Sequence, residues 1–217
     1  MITLYGLALS SYTAKLRIAL CAKGIDFVER DPPGGYRSDA WCAIVPTGTL
    51  PAIDHDGFLL AESEAILEYL EDCFPEPSLL PGSAQDRARA RQLARLHDLH
   101  LEPRVRALFP LVRDPALRNT LPALASALDE RVGMLERMTS PAHPFLAGPT
   151  LTLADCGFAV SLPLAALILK HLGRTLELPP RLLRWQQAAL EHPAVAAGLA
   201  PWRVATEAWL SSAGVPS

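Results

Sequence analysis

A proline heads the short apolar run Leu50-Pro51-Ala52-Ile53, and that placement constrains the chain more than any other feature of its 217 residues. Proline has no N–H to give to a ladder, so it fits the first residue or the edge of a strand and not its middle. The strand therefore begins at Pro51. His55-Asp56-Gly57 then offers turn chemistry, with a glycine free to take positive φ, and Phe58-Leu59-Leu60 returns as a second short strand. The unit reads as a β-hairpin. Behind it, Glu62-Ser63 opens a stretch in which Ala65, Ile66, Tyr69 and Leu70 recur at helical spacing, so a helix is expected from Ser63. The unpaired N–H groups and dipole of such a helix start suit a small anion, and the carboxylate of Glu62 suits an amine. Leu50, kept extended by the proline after it, has its own N–H and C=O to offer to another backbone. Together these groups can hold a short peptide at both ends.

The chain on either side supplies the frame. Residues 2–5 read as a buried strand, 6–11 as a loop and 13–22 as a helix that Gly24 ends, and Phe27-Val28-Glu29-Arg30 returns as a strand. That is a βαβ unit, with parallel strands and a right-handed crossover. A proline-glycine segment, 31–36, breaks the pattern, and 37–44 reads as a short irregular helix. With the hairpin and its helix, the order β-α-β-α-β-β-α over residues 1–73 is that of a thioredoxin-like domain. The stretch 74–82 carries three prolines and a glycine in nine residues, a linker composition, and 74–83 is taken as the linker. Beyond it every periodic segment is helical: about 84–112 with a kink at Pro103, then 120–139, 152–170, 179–191 and 201–212. The fold class is α/β plus all-α, with a helical second domain over 84–217. In that domain Leu151-Thr152-Leu153-Ala154-Asp155 is a capping signature: Thr152 caps, Asp155 reaches back and Leu151 staples.

Composition narrows the partners. A net charge of −3 gives no electrostatic reason to expect nucleic acid or an anionic membrane. The run Arg87, Arg89, Arg91, Arg95 is flanked by Asp86 and Asp98 and has no interleaved aromatics, so it reads as a helix face. Half the residues are hydrophobic, which is ample for a core, and the longest apolar stretch, 158–169, reads as too short to span a bilayer. The first residues read as a strand and not as a signal peptide. The four cysteines, Cys21, Cys42, Cys73 and Cys156, have neither CxxC nor zinc-finger spacing and are expected to be reduced in a cytoplasmic setting. His97 and His100 with Glu102 fall short of a metal-ligand set, and no metal is expected.

In a strand-loop-helix unit the loop after the strand faces the ligand crevice. Here the loop is Ala8-Leu9-Ser10-Ser11-Tyr12-Thr13. A serine hydroxyl at a helix N-terminus can donate to a thiolate and favour it over the thiol, which at an ordinary pKa near about 8.5 is mostly protonated at neutral pH. Ser10, Ser11 and Thr13 can equally serve as caps.

The run from Leu50 to Ile53, with Glu62-Ser63-Glu64-Ala65-Ile66 and the Thr152–Asp155 box, resembles the cytosolic glutathione transferases, in their serine-type, bacterial-like form. The resemblance covers nearly the whole chain. It implies a cis-proline at Pro51, glutathione as substrate or cosubstrate, and a catalytic serine at Ser10 with Ser11 as the fallback. It implies further that Ser11, Thr49, Leu50, Pro51, Glu62 and Ser63 bind glutathione: Leu50 pairs with the cysteinyl backbone, and Glu62 and Ser63 hold the γ-glutamyl end. Gly48 and Thr49 stand where family members often carry a long polar residue for the glycyl carboxylate, and Arg37 or Trp41 is the expected substitute. Tyr12 falls where cysteine-type members carry their cysteine. On the first helix of the second domain Arg104, Leu108 and Phe109 are the expected wall for a small hydrophobic electrophile.

The expected activity is attack of the glutathione thiolate on that electrophile. A glutathione-dependent isomerase or reductive dehalogenase, or a non-catalytic binding protein on the same fold, is the alternative. A homodimer is expected, with the acidic ridge Glu64, Glu68, Glu71 of one chain against the basic ridge Arg87, Arg91, Arg95 of the other, and Asp98 of one subunit near its neighbour's γ-glutamyl site.

Overall fold

The computed structural model describes residues 1–213, so the last four residues of the expected helical domain, 214–217, lie outside it. Four strands form one mixed sheet in the order β2-β1-β3-β4. β1 (Ile2–Tyr5) pairs in parallel with β2 (Phe27–Arg30) and antiparallel with β3 (Ala52–His55), which pairs with β4 (Phe58–Ala61). Ile2 and Leu4 alternate inward along β1, as a strand with one face on a core must. The hairpin turn takes positive φ at both Asp56 and Gly57, the geometry that an Asp-Gly pair suits, and Asp54 Oδ1 accepts from Gly57 N at 2.7 Å. The strand starts at Ala52, one residue after the proline, and the Leu50–Pro51 peptide is cis, as the resemblance implied.

α1 (Ser11–Ala22) connects β1 to β2 and is buried along almost its whole length. The sheet half covers one side of it, through α3 (Ser63–Cys73), and the helical half covers the other. A helix buried all round is normally apolar all round. This one carries Lys15 and Arg17, both almost fully buried, and each meets carboxylates. Between β2 and β3 lies the short α2 (Asp39–Ile44), capped by Ser38, whose Oγ accepts from Trp41 N at 3.0 Å.

The helical half begins with α4 (Ala84–Leu96), where Ser83 and Asp86 form a capping box. The single kinked helix expected over 84–112 is not what forms. α4 passes into a π-helical turn, His97–Leu101, then α5 (Glu102–Arg106) and α6 (Phe109–Arg113). A π turn takes up one residue more than an α turn. The extra residue lets His97 and Leu101 both turn inward while Leu99 is left 64% exposed. A 3₁₀ turn, Pro115–Thr120, leads into α7 (Leu121–Met138).

α8 (Leu153–His171) runs through the centre of the helical half. Its apolar stretch is longer than expected: with 19 residues it is, among those described, the helix long and apolar enough to cross a membrane, yet 78% of its most apolar window is buried inside the protein. Asp155 anchors its start, accepting from Thr152 N at 2.8 Å, Thr152 Oγ1 at 2.7 Å, Leu146 N at 2.9 Å and Trp185 Nε1 at 2.7 Å. After α9 (Pro180–Glu191), α10 (Pro193–Ser212) starts eight residues earlier than expected, with the His192 ring as its cap. Pro201 does not start this helix but lies inside it, on an exposed side where solvent can meet the carbonyl it leaves unpaired.

The core is continuous across both halves. One cluster of buried side chains runs from Ile2, Leu4 and Ile53 of the sheet through Leu16 and Ile18 of α1 to Phe158, Trp185 and Trp202. The closest packing is between α1 and α10, where a Cβ on Gly198 would stand 2.6 Å from the backbone nitrogen of Ile18. A smaller cluster of Trp41, Val45 and Ala52 lies apart from the main one.

Candidate active site

The loop between β1 and α1 is fixed from two sides. Arg17, buried on α1, bonds Glu29 of β2 through Nε at 2.6 Å and Nη2 at 2.5 Å, and the same Nη2 donates to Leu7 O at 3.2 Å. Gly6 passes so close to Thr13 that a Cβ there would meet its side chain at 2.1 Å. The loop ends in a turn, Ser10 N to Leu7 O at 3.0 Å, and Ser10 becomes the N-cap of α1, its Oγ accepting from Thr13 N at 3.2 Å. That bond uses a lone pair and leaves the hydroxyl proton free to donate. Ser11 is spent differently: buried, it donates to Glu102 Oε1 of α5 at 2.8 Å. Both serines line one cleft of about 870 Å³, and only Ser10 keeps its proton for an occupant.

Thr49, Leu50, Pro51, Glu62 and Ser63 line the same cleft, so these residues are brought together with Ser10 and Ser11. Leu50 precedes the β3 ladder. Glu62, at the start of α3, has φ +72°, a conformation that side chains other than glycine rarely adopt and that here carries the chain from β4 into the helix. Of the two substitutes at the opposite end, Trp41 is withdrawn: it is fully buried and its Nε1 donates to Thr49 O at 3.1 Å. Arg37 lines the cleft, its guanidinium 5.3 Å from the Tyr36 ring centroid.

Behind Ser63 lies a buried ionic cluster that sequence reasoning did not find. Lys15 Nζ bonds Glu64 and both oxygens of Asp98, at 2.9 and 3.0 Å, and lies 3.4 Å from Ser63 Oγ. His97 closes the chain, bonding Asp98 through Nδ1 at 2.6 Å and Ser161 through Nε2 at 2.8 Å. Burial pushes the Asp98 carboxyl up, but the His97 hydrogen bond and the Lys15 charge outweigh it, and the group titrates below its usual range. The available signal was a lysine in a helix with apolar residues on every side, which cannot stay charged inside a protein without an acidic partner. The histidine pair gains a structural reading too, because both ring nitrogens of His97 are occupied.

The acidic ridge is therefore used within its own chain. Glu64 pairs with Lys15, Glu71 with Lys23 at 2.6 Å, and Glu68 with Arg91 at 2.7 Å. Asp98 is likewise held by Lys15 of its own chain. Each carboxylate of the ridge thus has a cation of its own chain as partner.

The wall also differs from expectation. Phe109 lines the cleft, but Leu108 is fully buried in the core and Arg104 is exposed outside it. Arg104 and Leu108 were expected on one continuous helix running on from α4, and the π turn, which takes up one residue more than an α turn, interrupts it. Arg106 stands in the cleft instead, its guanidinium 5.6 Å from the ring centroids of both Tyr12 and Phe109 and bonded to Glu102 at 2.7 and 3.1 Å. Burial pushes the Tyr12 phenol well above its ordinary value, with Glu102 and Asp98 adding, so at neutral pH it is a neutral donor.

The family profile described as the glutathione S-transferase N-terminal domain matches residues 4–78. Glutathione S-transferase Z2 of Arabidopsis thaliana is 32% identical over 198 residues, covering 88% of this chain and 87% of the relative. The chain belongs to the glutathione S-transferase family. Another relative, the maleylacetoacetate isomerase of Rattus norvegicus, is 31% identical over 158 residues, 70% of this chain and 72% of its own. Among solved structures, a maleyl pyruvate isomerase described as a bacterial glutathione S-transferase of the Zeta class superposes with a TM-score of 0.75 at 27% identity, over 92% of this chain and 96% of the other. In this family member the thioredoxin-like half with its four-stranded mixed sheet and the predominantly helical remainder are those of the family.

Proposed function

We propose that this chain is a glutathione-dependent enzyme in which Ser10 donates a hydrogen bond to the glutathione thiolate, and the thiolate attacks an electrophilic carbon of a small second substrate. The observation that carries this reading is the bonding of Ser10, whose lone pair caps α1 and whose proton is left for an acceptor in the cleft. A donated hydrogen bond and the positive end of a helix both favour the anion, and the thiol proton passes to solvent. In this reading residues 1–73 hold glutathione, with Glu62 and Ser63 at the γ-glutamyl end, Leu50-Pro51 beside the cysteinyl backbone, and Thr49 with Arg37 at the glycyl carboxylate. The helical residues after the 74–83 linker supply the wall for the electrophile.

The finer reading is isomerisation with glutathione returned. Two similar proteins are named as isomerases. Addition of the thiolate to a conjugated cis double bond gives an enolate. Rotation about what is now a single bond, followed by expulsion of the thiolate, leaves the trans product with no net change in atoms or electrons. Arg106, the arginine in the electrophile wall, suits the carboxylate of such an acid. Conjugation is the same attack with the adduct protonated and released, and the apolar side of the wall, Leu7, Leu9 and Phe109, favours it. We retain a cytoplasmic homodimer in the proposal, without the opposed ridges as its basis.

One experiment separates the two outcomes. The protein is incubated with glutathione and either a cis-unsaturated dicarboxylic acid or a neutral electrophile, and both product and remaining glutathione are quantified. Trans product with glutathione undiminished supports isomerisation, and glutathione loss equal to product supports conjugation. Failure of glutathione to bind by calorimetry would remove both.

A further inference from the structure

Glu102 has no part in the function as read so far, and its surroundings are unusual. Its side chain is 2% exposed, and a carboxylate so buried is costly unless it is paired and fully hydrogen-bonded. Arg106 supplies two bonds and Ser11 Oγ a third, so Glu102 reaches from α5 across to the first turn of α1. These bonds engage both carboxylate oxygens, and the group is neither a ligand for an occupant of the cleft nor a base. Its bond to Ser11 acts one residue from Ser10.

We propose that Glu102 is a positioning residue for the thiol: through Ser11 it fixes the turn that aims Ser10, and its pairing with Arg106 keeps its own charge from disfavouring the thiolate. The inference rests on the Ser10 reading above. The other charges around the site leave this pair as the lever. On α1, Tyr12 stays neutral and Lys15 is balanced by Glu64 of α3 and Asp98 of the π turn. His97 is bonded to Asp98 and turned toward α8. Glu62 at the start of α3 and Arg95 of α4 line the cleft with opposite signs, while Arg37 and Tyr36 stand on the far rim. The Glu102–Arg106 pair is bonded directly to the turn that carries Ser10, so removing one charge of the pair while keeping shape moves the thiolate in a direction set by the sign.

The test uses the full chain with glutathione bound and reads the thiol pKa from thiolate ultraviolet absorbance against pH. Glu102→Gln removes the negative charge and leaves Arg106 uncompensated, and the bound thiol pKa is expected to fall by about half to one unit. Arg106→Met is expected to raise it. Ser11→Ala keeps both charges but frees the turn, so kcat should fall about tenfold or more while KM for glutathione stays within about twofold, and Ser11→Thr should restore it. A Glu102→Gln thiol that titrates at or above the wild-type value overturns the proposal, because a merely structural glutamate would lower rate or stability without a signed shift. Should that variant not fold, Arg106→Met without a rise, or Ser11→Ala with wild-type kcat, overturns it equally. A wild-type bound thiol that titrates at its free value would instead strike the Ser10 reading itself.

Discussion

At the scale of single residues the cleft depends on what each hydroxyl and each buried charge is bonded to. Ser10 and Ser11 are neighbours of the same type, and only their partners separate them: Thr13 N for one, Glu102 for the other. Ser10→Ala is expected to lower turnover with glutathione about tenfold to a thousandfold while glutathione still binds, as for loss of one anion-stabilising donor, measured by steady-state kinetics beside calorimetry. Lys15 poses the opposite question, since its removal strands Glu64 and Asp98 in a buried place. Lys15→Met should cost about 3–5 kcal/mol in urea unfolding, the penalty of an uncompensated buried charge. Asp98 gives this cluster a pH signature. Its folded pKa is depressed, so its contribution is fully present above its unfolded value of about 4 and is lost as pH falls through the folded one. Across that acid range Asp98→Asn should lose stability with falling pH less steeply than wild type, as read by denaturant titration at a series of pH values.

At the scale of elements the sheet half was largely legible, because its signals are local. Pro51 marks a strand start, Asp56-Gly57 marks a turn of positive φ, and Gly24 and Ser63 bound helices. The helical half was legible in its helices and not in its joints. A π turn has no composition of its own: it forms because His97 reaches Ser161 and Asp98 reaches Lys15, partners far away in sequence. Of the three residues expected in the wall, Phe109 lines the cleft and Arg104 and Leu108 do not. The last helix starts at Pro193 and not at residue 201, and Pro193 fits the preference for proline at a first turn. The contact between α1 and α10 was likewise invisible, although Gly198 is its condition. Gly198→Ala is expected to force these helices apart and to cost about 1–3 kcal/mol, seen as a lower Tm by calorimetry.

At the scale of the whole molecule, the two sequence regions share one core, and α1 is its axle, packed against α3 on one side and α8 and α10 on the other. A chain of residues 1–73 alone would expose the side of α1 that the helical half covers, including Ile18 and Lys15. It should show no cooperative thermal transition by circular dichroism, whereas the full chain should unfold with coincident circular dichroism and tryptophan fluorescence. Within that shared core the π turn has a consequence for descent. Its surplus residue lies in sequence between the cleft residues supplied by the first 73 positions and those supplied by α5 and α6, and its exposed member, Leu99, lines the cleft itself. Loss of a single codon there would let the turn relax to ordinary α pitch and rotate α5, exchanging which of its side chains line the cleft while residues 1–73 are inherited unchanged. Substrate preference in such a lineage can therefore move by a jump in reading length, where a point substitution would move it by degrees.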